Sequence, residues 1–169
     1  MAGVIQHLTK VLDKKKYIEL HNKITDSDFP WFIEKEATDT DKLVFFTHCF
    51  YKNFRVNSDY FYLIEPILDI LKPVALVNIR ANCNYNRGHV QYSGWHEDRY
   101  QDKKNLEYKT AIYYVNTNNG FTELKVEKYK EYKIESIANN MSIFPANTTH
   151  RVHTQTDKDY RILININYF

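Results

Sequence analysis

The chain predicts a mainly β, α+β fold: a double-stranded β-helix, or cupin-like jelly roll, in residues 73–169, with helices from residues 1–72 packed on it. Three observations carry this. From Pro73 onward, short apolar and polar alternations broken by turn residues follow one another, enough for about eight strands. Aromatic residues make up 15% of the chain, with Tyr 14 and Phe 10 against only Gly 4 and Pro 4, and aromatic side chains suit pleated, half-buried surfaces. Before Pro73, apolar residues recur instead at three- and four-residue steps, the period of a helix.

The helical preface rests on Leu43-Val44-Phe45-Phe46-Thr47-His48-Cys49-Phe50-Tyr51 and on residues 60–71. Asn57-Ser58-Asp59 stands where a cap of the second helix belongs, and Lys72-Pro73 ends it. Pro66 lies inside that helix and either kinks it or divides it into two shorter pieces. Strands then follow at residues 74–80, 89–96 and 110–116. Thr117-Asn118-Asn119-Gly120 reads as a tight hairpin turn, because Asn-Gly favours positive φ. Residues 121–126, 132–137, 141–144, 149–153 and 161–169 complete the set, and the alternating charges of residues 125–133 read as a solvated hairpin edge. No repeat, low-complexity stretch or linker interrupts the sequence, so residues 1–169 read as a single domain.

Composition removes several function classes. The 23 basic and 21 acidic residues leave a formal net charge of +2, too balanced for a nucleic-acid partner or an anionic membrane surface. No apolar run reaches the roughly 18 residues of a spanning helix, and the mixed, charged start lacks the apolar core of a signal peptide. Cys49 and Cys83 show no metal-binding or disulfide-framework spacing and read as reduced thiols. A cytoplasmic location is the expectation.

The chemistry concentrates in His96-Glu97-Asp98, His150 and Arg161. On an extended backbone, residues i and i+2 share a side, so His96 and Asp98 offer an imidazole and a carboxylate to one ion while Glu97 turns away. His150 joins them from a later strand. Two histidines and one carboxylate leave half of an octahedral ion open, as non-haem Fe(II) chemistry requires. His153 is the rival distal ligand, but three residues from His150 it falls on the other side of a strand. His7, His21, His48 and His89 have no partners at ligand spacing. Arg161 opens the last apolar strand, where a guanidinium needs an anion to grip; an exposed pair with Asp157 or Asp159 is the alternative.

In this order the motifs resemble the Fe(II)- and 2-oxoglutarate-dependent oxygenases of the prolyl 4-hydroxylase-like branch, over residues 74–169. The segment 92–98 is similar to the one bearing the first His and Asp ligands, and Ala111-Ile112-Tyr113-Tyr114-Val115-Asn116 to the family's tyrosine-bearing strand. Met141-Ser142-Ile143-Phe144-Pro145-Ala146-Asn147-Thr148-Thr149-His150-Arg151-Val152 resembles the distal-histidine stretch, and Asn165-Ile166-Asn167-Tyr168-Phe169 is similar to the ending of small phage and marine bacterial members. The resemblance implies that His96, Asp98 and His150 hold iron and that Arg161 binds the far carboxylate of 2-oxoglutarate. It places Tyr114 and Thr122 beside that carboxylate, and Arg80, with Asn78 and Asn82, next to the pocket, where Arg80 would bind cosubstrate or substrate; solvent-facing polar positions are the alternative for these three. Tyr92 and Trp95 would shape its entrance. Family members often carry Ser or Thr two residues after the arginine, where this chain has Leu163.

The implied activity is hydroxylation of a C–H bond, with Fe(II), 2-oxoglutarate and O2 as cofactors and ascorbate as an accessory reductant. The implied substrate is a prolyl or other peptidyl side chain, or a free amino acid or other small metabolite. Nucleic-acid demethylation of the AlkB type is disfavoured, because that group carries a second arginine where this chain has Asn167. The competing class is a non-catalytic metal-binding or structural jelly roll.

Overall fold

The computed structural model describes residues 5–34, 43–98, 108–127 and 130–169. In chain order the elements are β1 (Gln6–Leu8), α1 (Lys14–Ile24), β2 (Phe32–Glu34), β3 (Phe45–Lys52), β4 (Arg55–Val56), a 3-10 turn (Asp59–Leu63), α2 (Glu65–Leu71), β5 (Leu76–Tyr85), β6 (Lys109–Tyr114), β7 (Asn118–Glu127), β8 (Lys130–Ser136), β9 (Asn140–Pro145), β10 (His150–His153) and β11 (Tyr160–Tyr168). They form a jelly roll of two antiparallel sheets. The larger has the order β1-β9-β6-β11-β5-β3-β2, with β4 paired to β3, and the smaller is β10-β7-β8.

The two-residue period of β11 explains how the layers assemble. Ile162, Ile164 and Ile166 point to one side, where they join Ile79, Ala111 and Tyr113 from neighbouring strands in a buried cluster. The same cluster receives Leu20 and Ile24 of α1 and Ile67 of α2, so the helices cover the outside of the larger sheet. Arg161, Leu163, Asn165 and Asn167 point the other way, between the sheets. Register sets them beside Tyr114, Ile112 and Thr110 of β6 on one flank and Asn84, Asn82, Arg80 and Asn78 of β5 on the other. Leu124 and Ile134 of the smaller sheet close that interior against Ile112, Tyr114, Phe144 and Leu163.

Several local expectations change. Residues 43–51 were expected to be helical and instead supply β3, which pairs with β2 and β5 and buries Phe45 and Thr47 on one face and His48 on the other. An apolar run buried on both faces carries no distinct period, and its aromatics favour the strand. The stretch 60–71 divides at its proline as the sequence allowed: Ser58 caps the 3-10 turn through Tyr60 N, Pro66 sits in the first turn of α2, and Lys72 ends it in a left-handed conformation. Residues 89–96 form no strand; only Tyr92 and His96 make isolated bridges, to His153 and His150.

The expected hairpin at residues 117–120 is also absent. β6 belongs to the larger sheet and β7 to the smaller, so this link crosses between layers. Its asparagines serve the crossing. Asn118 Oδ1 accepts from Gly120 N at 3.0 Å, and Asn119 takes Asp157 Oδ1 through its backbone N–H at 2.9 Å. Among the described residues, Gly88 is the glycine with positive φ, at 77°.

Candidate metal centre

His96 and His150 belong to segments that bond directly to each other. His96 N donates to His150 O at 2.9 Å, and His150 N donates to His96 O at 2.8 Å. Their rings lie 4.4 Å apart between centroids. Each Nδ1 meets a backbone carbonyl, Gly94 O at 3.0 Å from His96 and Thr148 O at 2.9 Å from His150. A carbonyl only accepts, so each Nδ1 carries the proton and each Nε2 keeps its lone pair. That orientation is the usual one for a metal-bound histidine.

Asp98 completes the group. Ligand atoms of His96, Asp98 and His150 all lie within 4.8 Å of one another, and Asp98 Oδ1 is 3.7 Å from His150 Nε2. The other oxygen, Oδ2, accepts from Thr110 Oγ1 at 2.9 Å, Asn165 Nδ2 at 2.9 Å and Asn167 Nδ2 at 3.2 Å. Three donors occupy Oδ2 and leave Oδ1 for an ion, a one-oxygen arrangement. Burial disfavours the Asp98 carboxylate, yet the His150 and His96 rings and the Asn165 and Thr110 donors together hold its pKa below the ordinary value. Burial also lowers the His150 pKa, against the pull of Asp98. Both side chains are therefore in the state a cation binds, carboxylate and neutral imidazole.

His153 faces away. Its Nε2 is 2.7 Å from Glu123 Oε2, which also accepts from Arg151 at 2.6 Å, and its ring stacks on Phe121 at 4.1 Å.

Arg161 has no exposed surface. It comes from the larger sheet but is held by the smaller one: Nε donates to Ser136 Oγ at 2.9 Å and Nη2 to Thr122 Oγ1 at 3.1 Å. Thr122 Oγ1 also accepts from the Tyr114 hydroxyl at 3.1 Å. Neither Asp157 nor Asp159 pairs with it; among the described residues no carboxylate does, and Nη1 is buried without a partner. Burial lowers its pKa to about 10, with Tyr114 acting in the opposite sense, so it remains a cation at neutral pH.

A cavity runs along this interior face, lined by His96, Asp98, His150, Arg80, Asn82 and Asn165 among others. Arg80 Nε, Asn82 Oδ1 and Asn165 Oδ1 in its wall are buried without partners, as is Arg161 Nη1 beyond it. Buried polar atoms are rarely left unbonded, and four gathered on one face fit a polar ligand. Asn78 stays outside the lining. Tyr92 is 63% exposed, and Arg151 stacks over both Tyr92 and Trp95 on the outside.

Four contributors were not singled out from the sequence: Asn165 and Asn167 as donors to Asp98, Ser136 as the seat of Arg161, and Ser93, whose hydroxyl accepts from Val152 N at 2.9 Å. The parity of Arg161, Asn165 and Asn167 on one strand was a signal for the first two. Ser136 had none, because its role depends on how the sheets face each other. Gly120 is the remaining case. A Cβ there would lie 2.8 Å from Arg161 Cδ, 2.9 Å from Asn118 Oδ1 and 2.9 Å from His153 O, so this glycine makes room where a positive φ was expected.

No family model and no curated protein matches the sequence. Solved structures do match in shape. A Pseudomonas putida prolyl-4-hydroxylase aligns with a TM-score of 0.67 and 14% identity, covering 99% of this chain and 93% of that one. A 2OG-Fe(II) oxygenase family oxidoreductase from Burkholderia pseudomallei gives 0.71 and 10%, covering 99% and 85%. A prolyl hydroxylase from Trichoplax adhaerens, solved with a hypoxia inducible factor peptide fragment, gives 0.72 and 14%, covering 98% and 83%. The chain thus has the jelly-roll fold of the 2-oxoglutarate and Fe(II) oxygenases.

Proposed function

We propose that this protein is an Fe(II)- and 2-oxoglutarate-dependent dioxygenase that hydroxylates a C–H bond of a small molecule or a peptide. The observation that carries the reading is Arg161: a fully buried guanidinium with an unpartnered Nη1, on the same strand face as the asparagines that hold Asp98. A buried cation without a counter-charge is costly, and a ligand carboxylate relieves that cost through charge-assisted hydrogen bonds. The far carboxylate of 2-oxoglutarate is of the right chemistry, with Arg161 as its anchor and Thr122 and Tyr114 beside it.

His96 Nε2, Asp98 Oδ1 and His150 Nε2 are the donors that would hold Fe(II), an imidazole and carboxylate set suited to that ion. When bound, iron supplies the open coordination positions and the redox chemistry that couple 2-oxoglutarate decarboxylation to oxidation of a substrate by O2. The protein's part is positional. The Gly94 and Thr148 carbonyls fix the two imidazoles, the three donors to Oδ2 fix the carboxylate, and Leu163, Ile112 and Val152 give the cavity apolar walls.

Anaerobic titration of the Fe(II)-loaded protein with 2-oxoglutarate tests this. The expected result is a visible charge-transfer band from bidentate chelation, followed on admission of air by slow succinate formation. Tight metal binding with neither band nor succinate would instead assign the chain to non-catalytic metal-binding jelly rolls.

A further inference from the structure

Arg80 is a second interior guanidinium, in the wall of the cavity that Arg161 lies beyond, and the proposed chemistry leaves it unused. It lies on β5 directly across from Asn165 of β11, so both side chains enter the space between the sheets. Its Nε is buried and unpartnered, and among the described residues it makes no ion pair. Asp98 is the one carboxylate among the described residues that line the cavity, and its oxygens are committed, Oδ2 to three donors and Oδ1 to the histidine side. With a divalent ion bound, Asp98 and the 2-oxoglutarate dianion together balance that ion and Arg161. The Arg80 charge then has no counter-charge in a half-enclosed space.

The neighbour of Arg80 offers the opposite polarity. Asn165 Nδ2 donates to Asp98 Oδ2, an atom that only accepts, and this fixes which end of the amide faces elsewhere. Asn165 Oδ1 is thus a buried acceptor without a donor, one strand away from a fork of donors. Asn82 Oδ1, in the same wall, is a second acceptor of this kind. A guanidinium beside amide oxygens matches a carboxylate beside an ammonium or imino N–H.

Resting on the dioxygenase reading above, we propose that Arg80 and Asn165 receive the carboxylate and the amino group of a free α-amino or imino acid, which is the molecule this site oxidises. A residue inside a peptide has neither group, so the proposal separates the two substrate classes.

The test uses full-length protein loaded with Mn(II) and 2-oxoglutarate under argon, with glycine as the probe because it carries only the two groups in question. The bound ion shortens the proton relaxation of nearby ligands, and the methylene protons of 2-oxoglutarate report cosubstrate binding in the same sample. Glycine α-protons are expected to relax much faster than those of glycinamide. The R80Q variant should weaken glycine binding about tenfold, the scale of a lost charge-assisted hydrogen bond, while 2-oxoglutarate stays bound; R80K should retain part of the effect. Equal relaxation of glycine and glycinamide, or a glycine effect unchanged in R80Q, overturns the proposal. Loss of 2-oxoglutarate from R80Q also overturns it, by assigning Arg80 to the cosubstrate. Failure of the wild-type protein to bind 2-oxoglutarate is a separate result, which removes the dioxygenase reading and this proposal with it.

Discussion

Gly120 and Arg161 are in contact such that a methyl group on the glycine would sit 2.8 Å from the arginine Cδ. The side chain cannot swing clear, because Ser136 and Thr122 hold its far end. The G120A variant should therefore lose about 1–3 kcal/mol of stability through overpacking and bind 2-oxoglutarate more weakly. Its divalent-metal affinity should stay within experimental error of wild type. Calorimetric titration with each ligand separates the two effects, and equal loss of both would point to general unfolding.

Removing a ligand and removing a ligand's support should differ in degree. H96A, D98A and H150A are expected to abolish tight Fe(II) binding. N165A leaves the ion's donors in place but takes one of three hydrogen bonds from Asp98 Oδ2, and outer contacts of this kind cost about 10–100-fold in metal affinity. Competition with a chromophoric chelator measures both.

Arg161 is expected to lower the stability of the ligand-free protein, because a buried charge without a counter-charge is costly. R161M keeps an unbranched apolar stem, shorter than arginine, and removes an unpaired buried charge, so the ligand-free variant should melt higher than wild type by about 2–4 °C for each kcal/mol gained. The same variant should show no thermal shift with 2-oxoglutarate. A lower melting temperature would mean that the bonds to Ser136 and Thr122 outweigh the cost of burying the charge.

His48 makes the stability pH-dependent outside the site. It is buried beneath Phe29 and Phe50, donates from Nδ1 to Pro30 O at 2.8 Å and accepts at Nε2 from Ser58 Oγ at 2.7 Å. Burial lowers its pKa below the usual 6.5, with the Pro30 bond opposing. The unfolded chain then binds the proton more readily than the folded one, so stability is full above that value and drains as pH falls below it. The urea midpoint should drop between about pH 7.5 and pH 5.5, and H48N should flatten part of the drop.

Legibility in the sequence followed the distance over which each feature is determined. The jelly roll and most of its strands could be read because alternation is local. So could the break at Pro66, whose ring decides the backbone by itself. β3 could not, since a run buried on both faces loses its period, and what covers its faces lies elsewhere in the chain, Phe29 against His48 on one side and the interior cavity beside Phe45 on the other. In the site, spacing brought out His96, Asp98, His150 and Arg161, and parity set His153 apart from His150. The roles of Ser136 and Gly120 arise only where the smaller sheet meets Arg161, a contact between strands far apart in the chain.

The guanidinium of Arg161 originates in one layer of the sandwich and ends on hydroxyls of the other. A ligand seated on it would act as a rivet between layers, with its grip felt along both. Occupancy should therefore be legible in amide exchange: β7 and β8 slow together when 2-oxoglutarate binds, while α1, on the far side of the larger sheet, exchanges as before.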